Sequence, residues 1–398
     1  MAQKISIYLD NAASTPMRPE IIDVMTQYFN ENYANPSSVY GVAVAAKVAM
    51  EAAAADIGAT INAAANEIYF TGGGTESINW AIKSAALTVK NKGRHIITST
   101  VEHHAVLHTC EYLEKNGYDV TFLPVDKFGI ISTEDFAAAV RPDTILATIM
   151  LANNEVGTLQ PVAEIGAILK TINQTRKNKI LFHTDAVQAM GHIDIDVDAL
   201  GVDMLSMSAH KLNGPKGVGA LYIRRGVALP AFLHGGGHER GRRAGTENVA
   251  GIVAFGLAAR LAKEEMAAEA KRLSALRDGF IKKILKEVSH SYLNGHPTQR
   301  LPGNINLAFD CIEGEGMLLL LDAKGIAASS GSACTSGSLD PSHVLLAMGI
   351  PHEKAHGSLR ITLGRYTTQA DLDALSEVLP PIVQRLRSMS PLWDDLIK

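Results

Sequence analysis

The sequence predicts an α/β protein: a large domain on a mostly parallel sheet with helices on both faces, plus a smaller α+β domain. Three observations carry this expectation. Between Ile68 and Arg224 short β-rich runs alternate with helical patterns; from 247 to about 288 the pattern is helical; beyond it two more strand signals stand among helical stretches. With 398 residues, 46% of them hydrophobic and 20% charged, the chain is long enough for two or three domains and too apolar for disorder.

The β-rich runs of the first region are I-Y-F at 68–70, H-I-I-T-S-T at 95–100, V-T-F-L-P-V at 120–125 and I-L-A-T-I-M-L at 145–151. They continue with I-L-F-H-T-D at 180–185, M-L-S-M-S at 204–208 and G-A-L-Y-I at 219–223. An Ala-rich helix precedes them at about 42–57. In the helical stretch, Leu273, Leu276, Phe280 and Ile284 form one apolar stripe at three-to-four-residue spacing, which reads as a linker helix into the second domain. That domain has strand signals at I-N-L-A-F and L-R-I-T-L and helical stretches around 315–321 and 372–386. The expected division is a large domain over 15–258 and a small domain formed by 1–14 and 259–398.

A formal net charge of -4 gives no general reason to expect a nucleic acid or anionic membrane partner, so a small substrate is the default. No apolar run approaches the roughly 20 residues of a membrane helix, and the first ten residues lack the apolar core of a signal peptide. A cytoplasmic protein is expected. Cys110, Cys311 and Cys334 are too few and too scattered for a disulfide framework or a CxxC zinc site; each is a buried small hydrophobe or a reactive thiol, and burial is expected for Cys110, in an apparent helix, and Cys311, just after an apparent strand.

Parallel sheets place ligand sites at the carboxyl ends of their strands, and the chemistry-bearing residues cluster there. In M-S-A-H-K-L-N-G-P-K-G-V-G, at 207–219, Lys211 follows a strand and precedes a glycine-rich turn. Alone it reads equally as a surface lysine in a hairpin; a phosphate-binding GK[ST] loop is excluded by the spacing. Asp185 closes the preceding strand in H-T-D-A-V-Q, where an isolated acid would simply cap a following helix. Together the two suggest pyridoxal phosphate, which needs a lysine to hold its aldehyde as a Schiff base and a carboxylate to keep its pyridine nitrogen protonated. Y-F-T-G-G-G-T-E-S, at 69–77, supplies a strand, a glycine turn and a helix start, where backbone N–H groups can bind a phosphate, although many tight turns look alike. E-H-H at 102–104, with His108 and Cys110, matches no common zinc spacing, so a metal is not expected. A histidine stacked on a pyridine ring and close enough to move protons is the better use. His103 is chosen over His104, a choice the sequence alone does not decide.

The motifs N-N-E-V-G, H-T-D-A-V-Q, S-A-H-K-L-N-G-P-K-G-V-G, G-G-G-H-E-R-G-R-R-A-G-T-E-N and S-S-G-S-A-C-T-S-G together resemble the cysteine desulfurases of the NifS/IscS type. The resemblance runs in order from L-D-N-A-A-S-T-P at 9–16 to S-L-R-I-T-L-G-R at 358–365. It implies a pyridoxal-phosphate protein of fold type I, aspartate aminotransferase-like, in aminotransferase class V. It also implies a homodimer that converts L-cysteine to L-alanine and leaves a persulfide on the enzyme. Position by position, the resemblance implies that Lys211 is the Schiff-base lysine and Asp185 the pyridinium partner, with Gln188 on the ring hydroxyl and His103 stacked on the ring. Thr75, Ser208 and His210 would bind the phosphate, joined by Thr246 from the other subunit. Asn154 and Arg360 would bind the substrate carboxylate, and Arg360 suits this because its planar fork takes a carboxylate in two places. Cys334, on a Ser/Gly-rich segment at 329–337 that taken alone reads as a linker, would be the sulfur-accepting nucleophile. The implied acceptor is an iron-sulfur scaffold or another sulfur-acceptor protein. The alternative is a class V aminotransferase or a selenocysteine lyase using the same site.

Overall fold

The computed structural model describes residues 7–88, 93–330 and 341–396. In chain order the first part runs β1 (Ile7–Tyr8), α1 (Pro19–Asn30), α2 (Gly41–Thr60), β2 (Ile68–Thr71), α3 (Gly74–Thr88), β3 (His95–Ser99), α4 (His104–Lys115) and β4 (Asp119–Leu123). It continues through α5 (Thr133–Ala139), β5 (Thr144–Thr148), α6 (Val162–Thr175), β6 (Leu181–Asp185), α7 (Val197–Leu200), β7 (Met204–Ser208) and β8 (Gly219–Ile223). Each of the seven β-rich runs read from the sequence forms one strand of a single sheet, ordered β2-β8-β7-β6-β5-β3-β4. All neighbours are parallel except β8, which is antiparallel to both β2 and β7.

The inner strands are almost wholly buried because helices cover both faces, whereas the edge strand β4 is exposed at Asp119 and half-buried as far as Phe122; successive residues serve opposite cores. Ile96, Leu146, Met204 and Leu221 pack with Ile78, Trp80, Ile82 and Val106 of α3 and α4. Their neighbours Ile97, Ala147, Leu205 and Ala220 face the other way, against Ile57 of α2 and Phe255 of the long helix that follows.

The second part runs α8 (His238–Gly241), α9 (Val249–Glu287), β9 (Ser291–Leu293), β10 (Asn304–Phe309), α10 (Gly314–Asp322) and β11 (Ile326–Ala327). After it come α11 (His343–Ala347), α12 (His352–His356), β12 (Ser358–Thr362), α13 (Gln369–Arg387) and α14 (Pro391–Leu396). β12, β10 and β9 form an antiparallel sheet in that order, and β1 pairs in parallel with β11. The 39 residues of α9, about 58 Å at 1.5 Å per residue, carry both cores. Ile252, Phe255 and Ala259 lie in the core of the large sheet, while Leu273, Phe280 and Ile284 lie in that of the small one. Among the described residues no helix is long and apolar enough to cross a membrane.

The alanines of α2 let it lie close on α9: a Cβ added at Gly256 would come 2.5 Å from the Cα of Ala53. Gly279, on the same helix, has nothing within 4 Å of such a Cβ. Exchange of a mid-helix glycine for alanine normally stabilises by roughly 0.5–1 kcal/mol. Gly279→Ala should therefore raise Tm. Gly256→Ala should instead lower stability by about 1–3 kcal/mol, since overpacking outweighs helix propensity. Thermal denaturation of the two variants side by side checks this, and a stabilised Gly256→Ala would show that α2 and α9 are not in close contact.

Candidate active site

The sheet delivers its polar residues to the carboxyl ends of its central strands. β6 ends in Asp185, 5% exposed, whose Oδ1 accepts the Val187 N–H at 2.9 Å. Burial pushes its carboxyl up to about 6, while the charge of Lys211 pulls the other way. No ion pair reaches it among the described residues. β7 ends one strand over, and a single 3-10 turn, Ala209–Lys211, follows it. Lys211 Nζ donates to the carbonyl oxygens of Ala13, at 2.9 Å, and Ala12. Gln188 Nε2 donates to the same Ala12 oxygen at 3.0 Å.

His103 is the N-cap of α4. Its Nδ1 accepts the Ala105 N–H at 3.1 Å, which puts the proton of the neutral ring on Nε2. Burial first, then the charge of Lys211, pushes its pKa down to about 4, so the ring is uncharged at neutral pH.

The glycine turn before α3 packs against the turn after Asp185: a Cβ at Gly74 would come 2.8 Å from Val187 Cγ2. Beside the helix N-terminus lies a depression of about 700 Å³, lined by Thr75, Ser208, His210 and Lys216 among others. Unpaired N–H groups and the helix dipole make such a place favourable for an anion. Thr246 is exposed in the loop between α8 and α9 and does not line this depression.

Arg360, on β12, is 3% exposed; its Nη2 pairs with Asp10 Oδ1 at 2.8 Å, and its Nη1 donates to Asn154 O at 3.2 Å. The structure thus brings the Asn154 backbone carbonyl, rather than its side chain, to the arginine. Arg360 Nε is buried without an acceptor. Cys334 lies outside the described residues. Cys110 is fully buried, as expected of a small hydrophobe, and burial raises its pKa. Cys311 corrects that expectation: it is half-buried at a left-handed φ of 64°, because β10 has just ended and the chain turns outward. It lines a groove of about 810 Å³ near α12 and α14, larger than the depression at α3 but holding none of the residues above.

The structure adds residues that the sequence reading did not select. Lys216 lines the depression, Asp10 holds Arg360, and Glu102 lies fully buried next to His103. Glu102 Oε1 accepts from Ser99 Oγ at 2.7 Å and from the Met150 N–H at 2.9 Å, while Oε2 has no partner. Burial pushes its carboxyl up to about 8. Asp10 and Glu102 stood inside the quoted motifs L-D-N-A-A-S-T-P and E-H-H, but only long-range contacts reveal what they touch.

Residues 7–375 match the aminotransferase class-V family. The chain is 56% identical to the cysteine desulfurase IscS of Methanosarcina thermophila, over 97% of this chain and 94% of that protein. It is 52% identical to the cysteine desulfurase IscS of Clostridium botulinum, over 98% of each. Among solved structures, a NifS-like protein aligns with a TM-score of 0.89 at 38% identity, covering 96% of this chain and all of that one.

The buried groups set the pH dependence of the ligand-free fold. A carboxyl raised above its unfolded value keeps a proton that the unfolded chain has lost, so its stabilisation is full below the unfolded pKa and disappears as pH rises through the folded one. For Glu102 the window runs from 4.5 to about 8, and for Glu155 from 4.5 to about 7. His103 and His183, held at about 4 and about 3, act oppositely, and their contribution is complete above 6.5. The Tm of the apoprotein should therefore fall between pH 6.5 and 8, and Glu102→Gln, which keeps an oxygen for Ser99 and Met150, should flatten the fall. Parallel Tm profiles for the two proteins would refute the assignment.

Proposed function

We propose, from the premise that the chain belongs to the aminotransferase class-V family, that Lys211 holds pyridoxal phosphate and Cys334 receives the sulfur of a cysteine substrate. The protein is a pyridoxal-phosphate-dependent cysteine desulfurase of fold type I, like the relatives with which it shares about half its residues. The observation that supports the site assignment is the grouping of Lys211, buried Asp185 and a depression at the N-terminus of α3, at nearby strand ends.

These residues fit the cofactor. Among the described residues Asp185 is a buried carboxylate with one hydrogen-bond donor and no ion pair, an environment that a pyridinium N–H would complete. Thr75, Ser208, His210 and the N-terminus of α3 suit a phosphate. When bound, pyridoxal phosphate supplies an aldehyde that condenses with amines and a ring that draws electrons from the attached Cα. Lys211 Nζ would hold it, and Gln188 and His103 would flank its ring. Lys211 Nζ or His103 would take the Cα proton, the histidine only after a change of tautomer that frees Nε2 and gives up the Nδ1 bond to Ala105 N. Arg360 and Asn154 orient the substrate α-carboxylate. Cys334, as thiolate, would attack the substrate sulfur: an S–S bond forms, the substrate Cβ–S bond breaks with its electron pair left on carbon, and protonation of Cβ together with return of a proton to Cα yields L-alanine. The persulfide on Cys334 is then passed to an iron-sulfur scaffold or another sulfur acceptor in the cytoplasm.

The division into a large domain over 15–258 and a small one over 1–14 and 259–398 is part of this proposal, as is the homodimer. Val39, Tyr40, Val42, Val44 and Val48 leave an exposed apolar face at the start of α2 that a second subunit would cover. The exposed position of Thr246 suits a residue reaching the partner's phosphate.

Borohydride reduction and peptide mapping should find the pyridoxyl group on Lys211; label on Lys216 would overturn the assignment. Cys334→Ser should bind cofactor and cysteine yet release no alanine at the wild-type rate and gain no sulfur by mass, because a hydroxyl at neutral pH is no substitute for a thiolate. Mixing Lys211→Ala chains with Thr246→Ala chains should restore one sound site per mixed dimer. If cofactor affinity never recovers in the mixture, the shared phosphate site is wrong.

A further inference from the structure

The carboxylate subsite has an acidic member. Arg360 is almost fully buried and meets the Asp10 carboxylate through one oxygen only, at 2.8 Å from Nη2. Its other described contact is Nη1 to the Asn154 carbonyl, and Nε is shut from solvent with no acceptor. A guanidinium offers five N–H groups in a rigid fork, and a buried donor without an acceptor is costly. The fork is therefore oriented but not saturated.

Asp10 is suited to do the orienting. Its backbone is fixed on both sides: Leu9 N donates to Ala327 O at 2.8 Å, Thr362 N to Leu9 O at 2.7 Å, and Tyr8 Oη to Asp10 O at 3.0 Å. Two residues on, the same segment takes Lys211 Nζ on the Ala12 and Ala13 carbonyls. Arg360, by contrast, has a long side chain with many rotamers, and a fixed partner must select among them. We propose that Asp10 is the positioning residue of the carboxylate subsite: by holding one Nη of Arg360 it orients the guanidinium so that its remaining Nη hydrogens face the substrate α-carboxylate. This deepens the proposed function and rests on Arg360 being the carboxylate ligand.

The test uses the holoenzyme and a readout other than turnover: the shift of cofactor absorbance on titration with L-alanine, which carries the carboxylate, and with cysteamine, which lacks it. Asp10→Ala should weaken L-alanine binding by about 10-fold, the scale of one charge-assisted hydrogen bond, and leave cysteamine affinity within about two-fold, the experimental background for an uncoupled site. Asp10→Asn keeps an oxygen acceptor without the charge, places less demand on folding, and should show the same selectivity with a smaller loss. Asp10→Ala on top of Arg360→Ala should add nothing, because the two act through one contact.

If Arg360→Ala binds L-alanine as the wild type does, the assignment of Arg360 itself fails. If Arg360→Ala is selective for the carboxylate but the Asp10 variants are not, only the role of Asp10 fails. Equal weakening of both ligands would make Asp10 a structural residue, and tighter L-alanine binding would make it a competitor for the guanidinium; either outcome overturns the proposal.

Discussion

The site depends on one short segment, residues 9–15, which joins the two sheets. Its backbone extends the small sheet through Leu9 and Asn11, both bonded to Thr362. Its other end is fastened to the loop after β7: Thr15 Oγ1 donates to His210 O at 2.7 Å and accepts from Asn213 N at 2.8 Å. Asp10 faces Arg360, and the Ala12 and Ala13 carbonyls face Lys211. Groups that lie 149 positions apart in sequence, one on each sheet, are thereby held at a fixed separation by hydrogen bonds to a common strip of backbone. A substrate with an amine and a carboxylate on one carbon requires such a separation.

A second constraint is electrostatic. The middle of the sheet excludes water, so charge is disfavoured there and each ionisable group takes its neutral form unless a partner opposes that. His183 shows the pure case: its Nδ1 meets Thr148 Oγ1 at 2.8 Å and its Nε2 meets Ser206 Oγ at 2.9 Å, so an uncharged ring ties β5, β6 and β7 in register. His103 and His210 are pushed the same way, both by burial and by Lys211. Two neutral histidines then stand beside a cationic lysine without repelling it. Asp185 is the group in which burial and Lys211 compete, and a cationic ring nitrogen against it would shift that balance toward the carboxylate.

The large sheet was legible because a fully covered parallel sheet writes itself as continuous apolar runs, and β2 through β8 all appear in the sequence as such. Lys211 and Asp185 were legible for a related reason, since polar residues that interrupt those runs fall at strand ends, where ligands bind. Asp10 was not, because its meaning comes from Arg360, 350 positions away. Glu102 hid behind its neighbour: a histidine after a strand has a familiar chemical use, whereas a buried glutamate is recognised only once Ser99 and Met150 are seen to share one of its oxygens. Cys311 misled because a cysteine next to a buried strand is usually buried, and only the left-handed backbone at that position turns it outward.

The stretch that carries Cys334 leaves and re-enters the described structure close to the same polar cluster. At one end Ser329 exchanges backbone hydrogen bonds with Arg360, at 3.1 and 2.6 Å, and Ser358 Oγ donates to Ser330 O at 3.2 Å. At the other, Ser342 Oγ donates to the buried carboxylate of Glu155, next in sequence to Asn154, whose carbonyl accepts from Arg360. Three residues lie between Ser330 and Cys334 in the sequence. The proposed nucleophile thus follows in sequence on a residue that is bonded to the strand carrying the proposed carboxylate ligand. One arginine therefore bonds through its backbone to Ser329, just before that stretch, and through its side chain to the groups of the proposed carboxylate subsite.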